Sequence, residues 1–144
     1  MHVQNKQNTN QQDPPQAQQT PRQTLRQKRG QDAELAVAGI MERKGYRILA
    51  RNYRVHRIGE IDLIAGRGDR LIFIEVKARR DTVRWGGPEA AIGSAKLKKI
   101  QRTAVCYLKE KHKMNHNIYF LAALVKLDRF GKPEKISFRP IECL

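Results

Sequence analysis

One stretch limits most strongly how this chain can fold: GEIDLIAGRGDRLIFIEVKA, residues 59–78. Two apolar segments, 59–65 and 71–78, flank the glycine-containing turn 66–69, and this pattern predicts two antiparallel strands in a hairpin. Because strand side chains alternate between faces, Glu75 and Lys77 share one face of the second strand. Symmetric pairing about the turn places Asp62 opposite Glu75 or one residue away. Two acids and a lysine therefore lie side by side within otherwise apolar strands.

The segments around the hairpin predict a mixed α/β fold. We expect a helix at 30–44, with Asp32 as its N-cap and Gly45 as its end signal, and a strand at 46–57. After a loop at 81–94 with at most one short helical turn, Ser94 is expected to cap a helix that extends to about His112. Strands follow at 117–127 and 135–143. The order α-β-β-β-α-β-β predicts helices packed on a mixed sheet.

The N-terminal segment differs in composition from the rest of the chain. Residues 1–29 hold nine Gln, three Asn and three Pro, with Val3 and Leu25 as the sizeable apolar side chains. Such a segment buries too little apolar surface to offset the entropy lost on ordering. We therefore expect a disordered, Gln-rich, basic tail at 1–29 and one folded domain at 30–144.

Charge and cysteine content point to a partner and a compartment. The chain has 29 Lys and Arg against 14 Asp and Glu, a net charge of +15. This excess favours polyanionic partners, nucleic acid before acidic membrane surfaces, although basic charge also serves solubility. Cys106 and Cys143 form no disulfide or zinc pattern, and the longest apolar run, 118–125, is too short to span a bilayer. We expect a cytoplasmic protein with no membrane partner.

The charged residues of the hairpin predict metal chemistry. Two neighbouring carboxylates repel one another in a half-buried sheet, and a shared divalent cation would remove that conflict. Mg²⁺ or Mn²⁺ held by Asp62 and Glu75 would polarise a phosphate and activate a water, while Lys77 would orient the water or stabilise the developing charge. The alternative is a surface salt bridge between Glu75 and Lys77, worth about 0–1 kcal/mol.

Four segments, AELAVAGIMERKGYRILARNYR, GEIDLIA, IFIEVKARR and GGPEAAIGSAKLKKI, closely resemble the YraN family of bacterial proteins. That family is similar to the restriction-endonuclease-like superfamily, which includes Holliday-junction resolvases. The resemblance, over roughly residues 30–127, implies a restriction-endonuclease-like αβββαβ core, a mixed sheet flanked by helices. The metal-site motif of the superfamily falls on Asp62, Glu75 and Lys77. Its helical acid falls on Glu34, which becomes a third catalytic and metal-binding candidate, and a family lysine falls on Lys96.

In one place the sequence departs from the family pattern. Family members often carry an Arg-Phe-Asp cluster in the late strand, and the corresponding stretch here, NIYFLAALV at 117–125, has no acid. The predicted metal site does not include that position.

Together these features predict a metal-dependent endonuclease that acts on DNA, with branched recombination intermediates as candidate substrates. DNA is favoured over RNA, and a homodimer remains open because resolvase-like enzymes make paired cuts. Two alternatives also remain open: a nucleic-acid-binding module without turnover, and a protein-interaction module on a nuclease scaffold. The basic residues expected to hold backbone phosphates are Arg79, Arg80, Lys96, Lys98, Lys99 and Arg102.

Overall fold

The computed structural model describes residues 22–81 and 92–142. The elements in chain order are α1 (Leu25–Arg43), β1 (Arg47–Val55), β2 (Gly59–Arg67), β3 (Arg70–Arg79), α2 (Ser94–Glu110), β4 (Asn117–Leu127) and β5 (Pro133–Pro140). The predicted α/β class and order of elements are confirmed. The disorder expected at 1–21 and the short helical turn expected within 82–91 lie outside the described residues.

The five strands form one mixed sheet in the order β1-β2-β3-β4-β5. Neighbouring strands are antiparallel, except that β4 runs parallel to β3. Parallel neighbours need a crossover connection, and α2 lies in this one. The central strand β3 is buried from Leu71 to Glu75, and its apolar side chains alternate between the two faces of the sheet.

The two helices cover opposite faces of the sheet. Val37 and Met41 of α1 pack in one core with Leu63 and Ile74, among other residues. The other core lies under α2 and is formed by Ile61, Ile64, Leu71, Phe73, Ile92, Ile100, Ala104, Tyr107, Leu108, Ala122 and Leu124. This arrangement is consistent with the αβββαβ nuclease-like core that was expected. Neither α1 nor α2, the two helices of the described residues, is long and apolar enough to cross a membrane.

The predicted start of α1 was wrong. The helix begins at Leu25, and its N-cap is Thr24 rather than Asp32. Thr24 Oγ1 accepts a hydrogen bond from Gln27 N at 3.2 Å, and Gln27 Oε1 accepts one from Thr24 N at 2.9 Å. This reciprocal capping box stabilises a helix start within a polar segment. Residues 25–29, which were assigned to the tail, are therefore helical.

Two other helix ends can be compared with expectation. Ser94 is the first residue of α2 instead of its cap, because the N-cap is Gly93 and makes no side-chain capping bond. The end of α1 agrees with the prediction: Gly45 has φ 85°, and Tyr46 N donates to Met41 O at 3.0 Å. Glycine takes this left-handed conformation at little cost, which is why it follows helix ends so often.

Candidate active site

The pairing of β2 with β3 stops before either strand ends. The last paired residues are Leu63 and Ile74, whereas β2 continues beside β1 to Gly59 and β3 continues beside β4 to Arg79. The sheet therefore opens into a fork. Asp62 and Glu75 are the first residues beyond the last pair, one on each branch, as symmetric pairing about the turn predicted.

Asp62 lies at the base of the fork. Its Oδ2 accepts a hydrogen bond from Val76 N at 2.7 Å, so the carboxylate takes up a β3 backbone donor where strand pairing has stopped. Burial raises the pKa of Asp62 to about 7, and the negative charge of Glu75 acts in the same direction. A protonated Asp62 can donate a hydrogen bond to Glu75. The two carboxyls thus form a close acidic pair at the base of the fork.

Glu75 is the deeper member of the pair, with 4% of its surface exposed. Its Oε1 lies 3.2 Å from Lys96 Nζ and 3.4 Å from Lys77 Nζ. Its Oε2 is buried and has no hydrogen-bond donor among the described residues, unless Asp62 carries a proton. When both acids are ionised, the site therefore presents a buried acceptor that lacks a partner, which is costly unless a cation or donor arrives.

A distortion in β1 lies directly beside Asp62. Ala50 and Tyr53 contact the same core, although a separation of three residues puts side chains on opposite faces of a regular strand. Between them, Asn52 has φ 48°, and its Nδ2 donates to Glu34 Oε2 at 3.2 Å. Our sequence analysis missed Asn52. The available signal was residue type, because Asn tolerates left-handed backbone better than most residues.

Glu34 faces the fork from α1, as the resemblance implied. Burial raises the pKa of Glu34, more than the hydrogen bond from Asn52 lowers it, and the charges of Glu60 and Glu75 raise it further. Over residues 22–81 and 92–142, no group of three or more His, Cys, Asp and Glu side chains is arranged to hold a metal ion. The structure thus brings together a pair of acids, and the role of Glu34 as a third ligand stays a prediction.

The fork forms the floor of a cleft of about 980 Å³ with a basic rim. Among the predicted phosphate-binding residues, Arg79, Arg80 and Lys96 line this cleft, and Lys99 lines a neighbouring cavity. Lys98 and Arg102 are exposed on α2 outside both linings.

Two further basic residues of the rim were not predicted. Arg26 and Arg29 of α1 also line the cleft, although both were assigned to the tail. The motif Thr24-x-x-Gln27 is the signal that could have placed them on a helix.

Comparison with known proteins shows the family of the chain. The model of the uncharacterised protein family UPF0102 matches residues 33–130. A UPF0102 protein of Syntrophus aciditrophicus is 40% identical over 113 residues, which cover 78% of this chain and 84% of that relative. A UPF0102 protein of Moorella thermoacetica is 38% identical, with 72% and 85% covered, and one of Alkaliphilus metalliredigens is 36% identical, with 76% and 91% covered. The chain therefore belongs to the uncharacterised protein family UPF0102, which is the YraN family that its motifs resemble.

Proposed function

We propose that this chain is a divalent-metal-dependent endonuclease that hydrolyses phosphodiester bonds in DNA. The observation that carries the proposal is the pair of neighbouring acids, Asp62 and Glu75, on the floor of a basic cleft. Perturbed acids in a cleft are typical of functional sites, and the surrounding positive charge favours a polyanionic substrate. Such a substrate also implies a cytoplasmic enzyme.

The two carboxylates fit Mg²⁺ or Mn²⁺. Magnesium in phosphoryl-transfer sites is usually bound by one or two carboxylates together with substrate oxygens and water. Among the described residues, Glu75 Oε2 has no donor other than a proton on Asp62, and the mutual repulsion of the ionised pair would fall in the presence of a cation. Asp62 and Glu75 would hold the ion, with Glu34 as the candidate third ligand. Bound there, the ion would polarise the phosphate and lower the pKa of a water.

The chain itself contributes positive charge where the reaction develops negative charge. Hydrolysis forms a bond from a water oxygen to phosphorus and breaks one phosphorus–ester oxygen bond, while charge grows on the phosphoryl oxygens. Lys77 and Lys96 place two ammonium groups against Glu75, where they can donate to those oxygens.

The rim of the cleft can hold the DNA on both sides of the bond that is cleaved. The arginines of the rim are Arg26, Arg29, Arg79 and Arg80. Contacts to phosphates position DNA but carry no sequence information, so we expect recognition of backbone shape, with branched DNA as the candidate substrate.

One observation favours a second candidate function. The same two lysines, Lys77 and Lys96, already lie within 3.4 Å of Glu75 Oε1. Internal cations can compensate a buried carboxylate without any metal. The cleft could then serve as a nucleic-acid-binding surface, or the fold as a protein-interaction module, without turnover.

Cleavage assays separate these functions. Purified protein is incubated with labelled linear, branched and single-stranded DNA and with RNA, in Mg²⁺, Mn²⁺ or EDTA. We expect metal-dependent products that Asp62→Asn and Glu75→Gln each reduce by about 10²-fold or more, with DNA binding retained. Asp69→Asn, at the far end of the same hairpin, is the matched control and should cleave normally. Binding without metal-dependent cleavage on every substrate would support the module instead.

A further inference from the structure

A second cavity lies beside the active-site cleft, on the other side of Lys96. Its volume is about 760 Å³, and it lies between the β1–β2 turn and the first turns of α2. Lys96 and Glu60 line both the cavity and the cleft, so the two spaces adjoin. The charged and polar side chains of this cavity are those of Arg54, His56, Arg57, Glu60, Lys96 and Lys99.

The cavity carries a surplus of positive charge. Among the described residues that line the cavity, Glu60 is the one acid, and Arg54 Nε lies 2.7 Å from Glu60 Oε2, which neutralises the carboxylate. Lys96 is shared with Glu75 in the cleft. Within the described part of the chain, neither Arg57 nor Lys99 forms an ion pair. Two cations are therefore available for an anionic ligand.

Close packing holds the β1–β2 turn, which carries Arg57, against α2, which carries Lys99. A Cβ atom at Gly59 would lie 2.9 Å from Thr103 Oγ1 and 3.2 Å from Lys99 Cβ, so only glycine lets the β1–β2 turn sit this close to α2. The turn is thereby held against the helix that carries Lys99.

Arg57 occupies a backbone conformation that its residue type disfavours. Its φ is 61°, in the left-handed region that glycine enters without steric cost. An arginine at such a position costs folding free energy that glycine would save. Outliers of this kind cluster at binding and catalytic sites. The side chain is therefore a candidate for a role in ligand binding.

We propose that this cavity binds a backbone phosphate of the DNA strand being cleaved, next to the phosphate in the active site, through Arg57 and Lys99. The inference rests on the proposed nuclease function and deepens it. Arginine and lysine side chains commonly bind phosphodiesters. Lys96 lines both spaces, so a DNA strand could pass from the cleft to the cavity beside it. A second phosphate held beside the fork would set the direction of the strand and the position of the cut.

The test uses two variants and two matched controls. Arg57→Gly removes the guanidinium and relieves the left-handed backbone, so the fold should be retained. His112→Gly gives the same relief at φ 53°, beyond the end of α2. Lys99→Ala and Lys109→Ala each remove one positive charge from α2. Binding to a labelled DNA duplex is measured in EDTA over a series of salt concentrations, so that cleavage has no part in it.

We expect Arg57→Gly and Lys99→Ala each to weaken binding about tenfold at low salt and to reduce the slope of log K against log salt by about 0.9. The controls should leave both quantities close to those of the wild-type protein. A neutral methylphosphonate, placed at each backbone position of the duplex in turn, should weaken wild-type binding at one position next to the cut. At that position it should have no further effect on Arg57→Gly.

The failures of the two proposals are distinguishable. Arg57→Gly and His112→Gly with equal affinity and equal salt slope would overturn the phosphate site, whether or not the protein cleaves DNA. Binding in EDTA that depends on Arg57 and Lys99, without cleavage in Mg²⁺ or Mn²⁺, would support the phosphate site and overturn the nuclease. An absence of DNA binding would overturn both.

Discussion

The two ends of the β2–β3 hairpin use acidic residues in opposite ways. At the turn end, Asp69 Oδ2 accepts a hydrogen bond from Asn117 Nδ2 at 2.6 Å, and Asp69 O accepts one from Asn117 N at 2.8 Å. At the open end, Asp62 and Glu75 face each other, and Glu75 Oε2 has no donor among the described residues other than a proton on Asp62. The acid at the turn end is exposed and hydrogen-bonded, whereas the open end places the half-buried Asp62 beside the buried Glu75.

The difference shows how one short hairpin can combine stability with a proposed reactive site. The turn end joins β3 to the start of β4 and closes the chain with satisfied polar groups. The open end carries a cost that a folded protein tolerates where a ligand can remove it. The two aspartates of the hairpin differ in their surroundings: Asp69 is exposed and hydrogen-bonded at the turn, whereas Asp62 lies beside a second carboxyl.

The largest expected contrast between the two ends is the response to metal. Mg²⁺ or Mn²⁺ at 100 times its dissociation constant should stabilise the wild-type protein by about 2.7 kcal/mol. Because the metal must displace the proton of Asp62, whose pKa is raised to about 7, the rise in Tm should be larger at about pH 8 than at about pH 5.5. Thermal unfolding with and without metal, at both pH values, measures this rise in Tm. Asp69→Asn should keep the rise and Asp62→Asn should lose it, and an equal rise in both would contradict the assignment.

An intermediate contrast concerns stability without metal. The folded pKa of Asp62, about 7, lies above its reference value of 3.8, so the folded protein keeps a proton that the unfolded chain releases within that window. The carboxyl therefore costs stability increasingly as pH rises through the window, and costs nothing below it. Asp62→Asn keeps an acceptor for Val76 N. It should raise the free energy of unfolding by about 1–2 kcal/mol at about pH 8.

Urea denaturation in EDTA, at several pH values, measures this effect. Asp69→Asn should change the free energy of unfolding by about 0.5 kcal/mol or less. A stability gain for Asp62→Asn that did not shrink toward pH 4 would argue against the raised pKa of Asp62.

The smallest expected effect lies at the turn itself. Gly68 has φ 58°, and a Cβ there would meet nothing within 4 Å, so Gly68→Ala adds conformational strain without a clash. We expect it to lower the free energy of unfolding by about 1 kcal/mol and to leave cleavage per folded molecule unchanged. Denaturation measures the loss of stability, and cleavage assays on the same preparation measure whether activity per folded molecule is unchanged. Lost cleavage with retained fold would show that the two ends of the hairpin are not independent.

Local patterns predicted most of the fold. Alternation of apolar residues and the glycine turn predicted the β2–β3 hairpin and the proximity of Asp62 to Glu75, and apolar periodicity predicted both helices. The start of α1 was missed because its first turn is polar and buries nothing, so the capping motif of Thr24 and Gln27 was the signal that should have outweighed composition. The nuclease role, the metal and the DNA partner stay predictions.

By itself, the sequence determined which residues could form the site. Side chains alternate between the faces of a strand, and a short turn fixes how two strands pair, so both can be read from neighbouring residues. Tertiary structure alone decided what surrounds them. Lys96 reaches Glu75 only because α2 packs on β2 and β1 and so brings its first turn beside the fork. The distortion of β1 at Asn52 and the close approach of Gly59 to Thr103 depend on how distant elements pack. The periodicity of apolar residues in the sequence carries no information about such contacts.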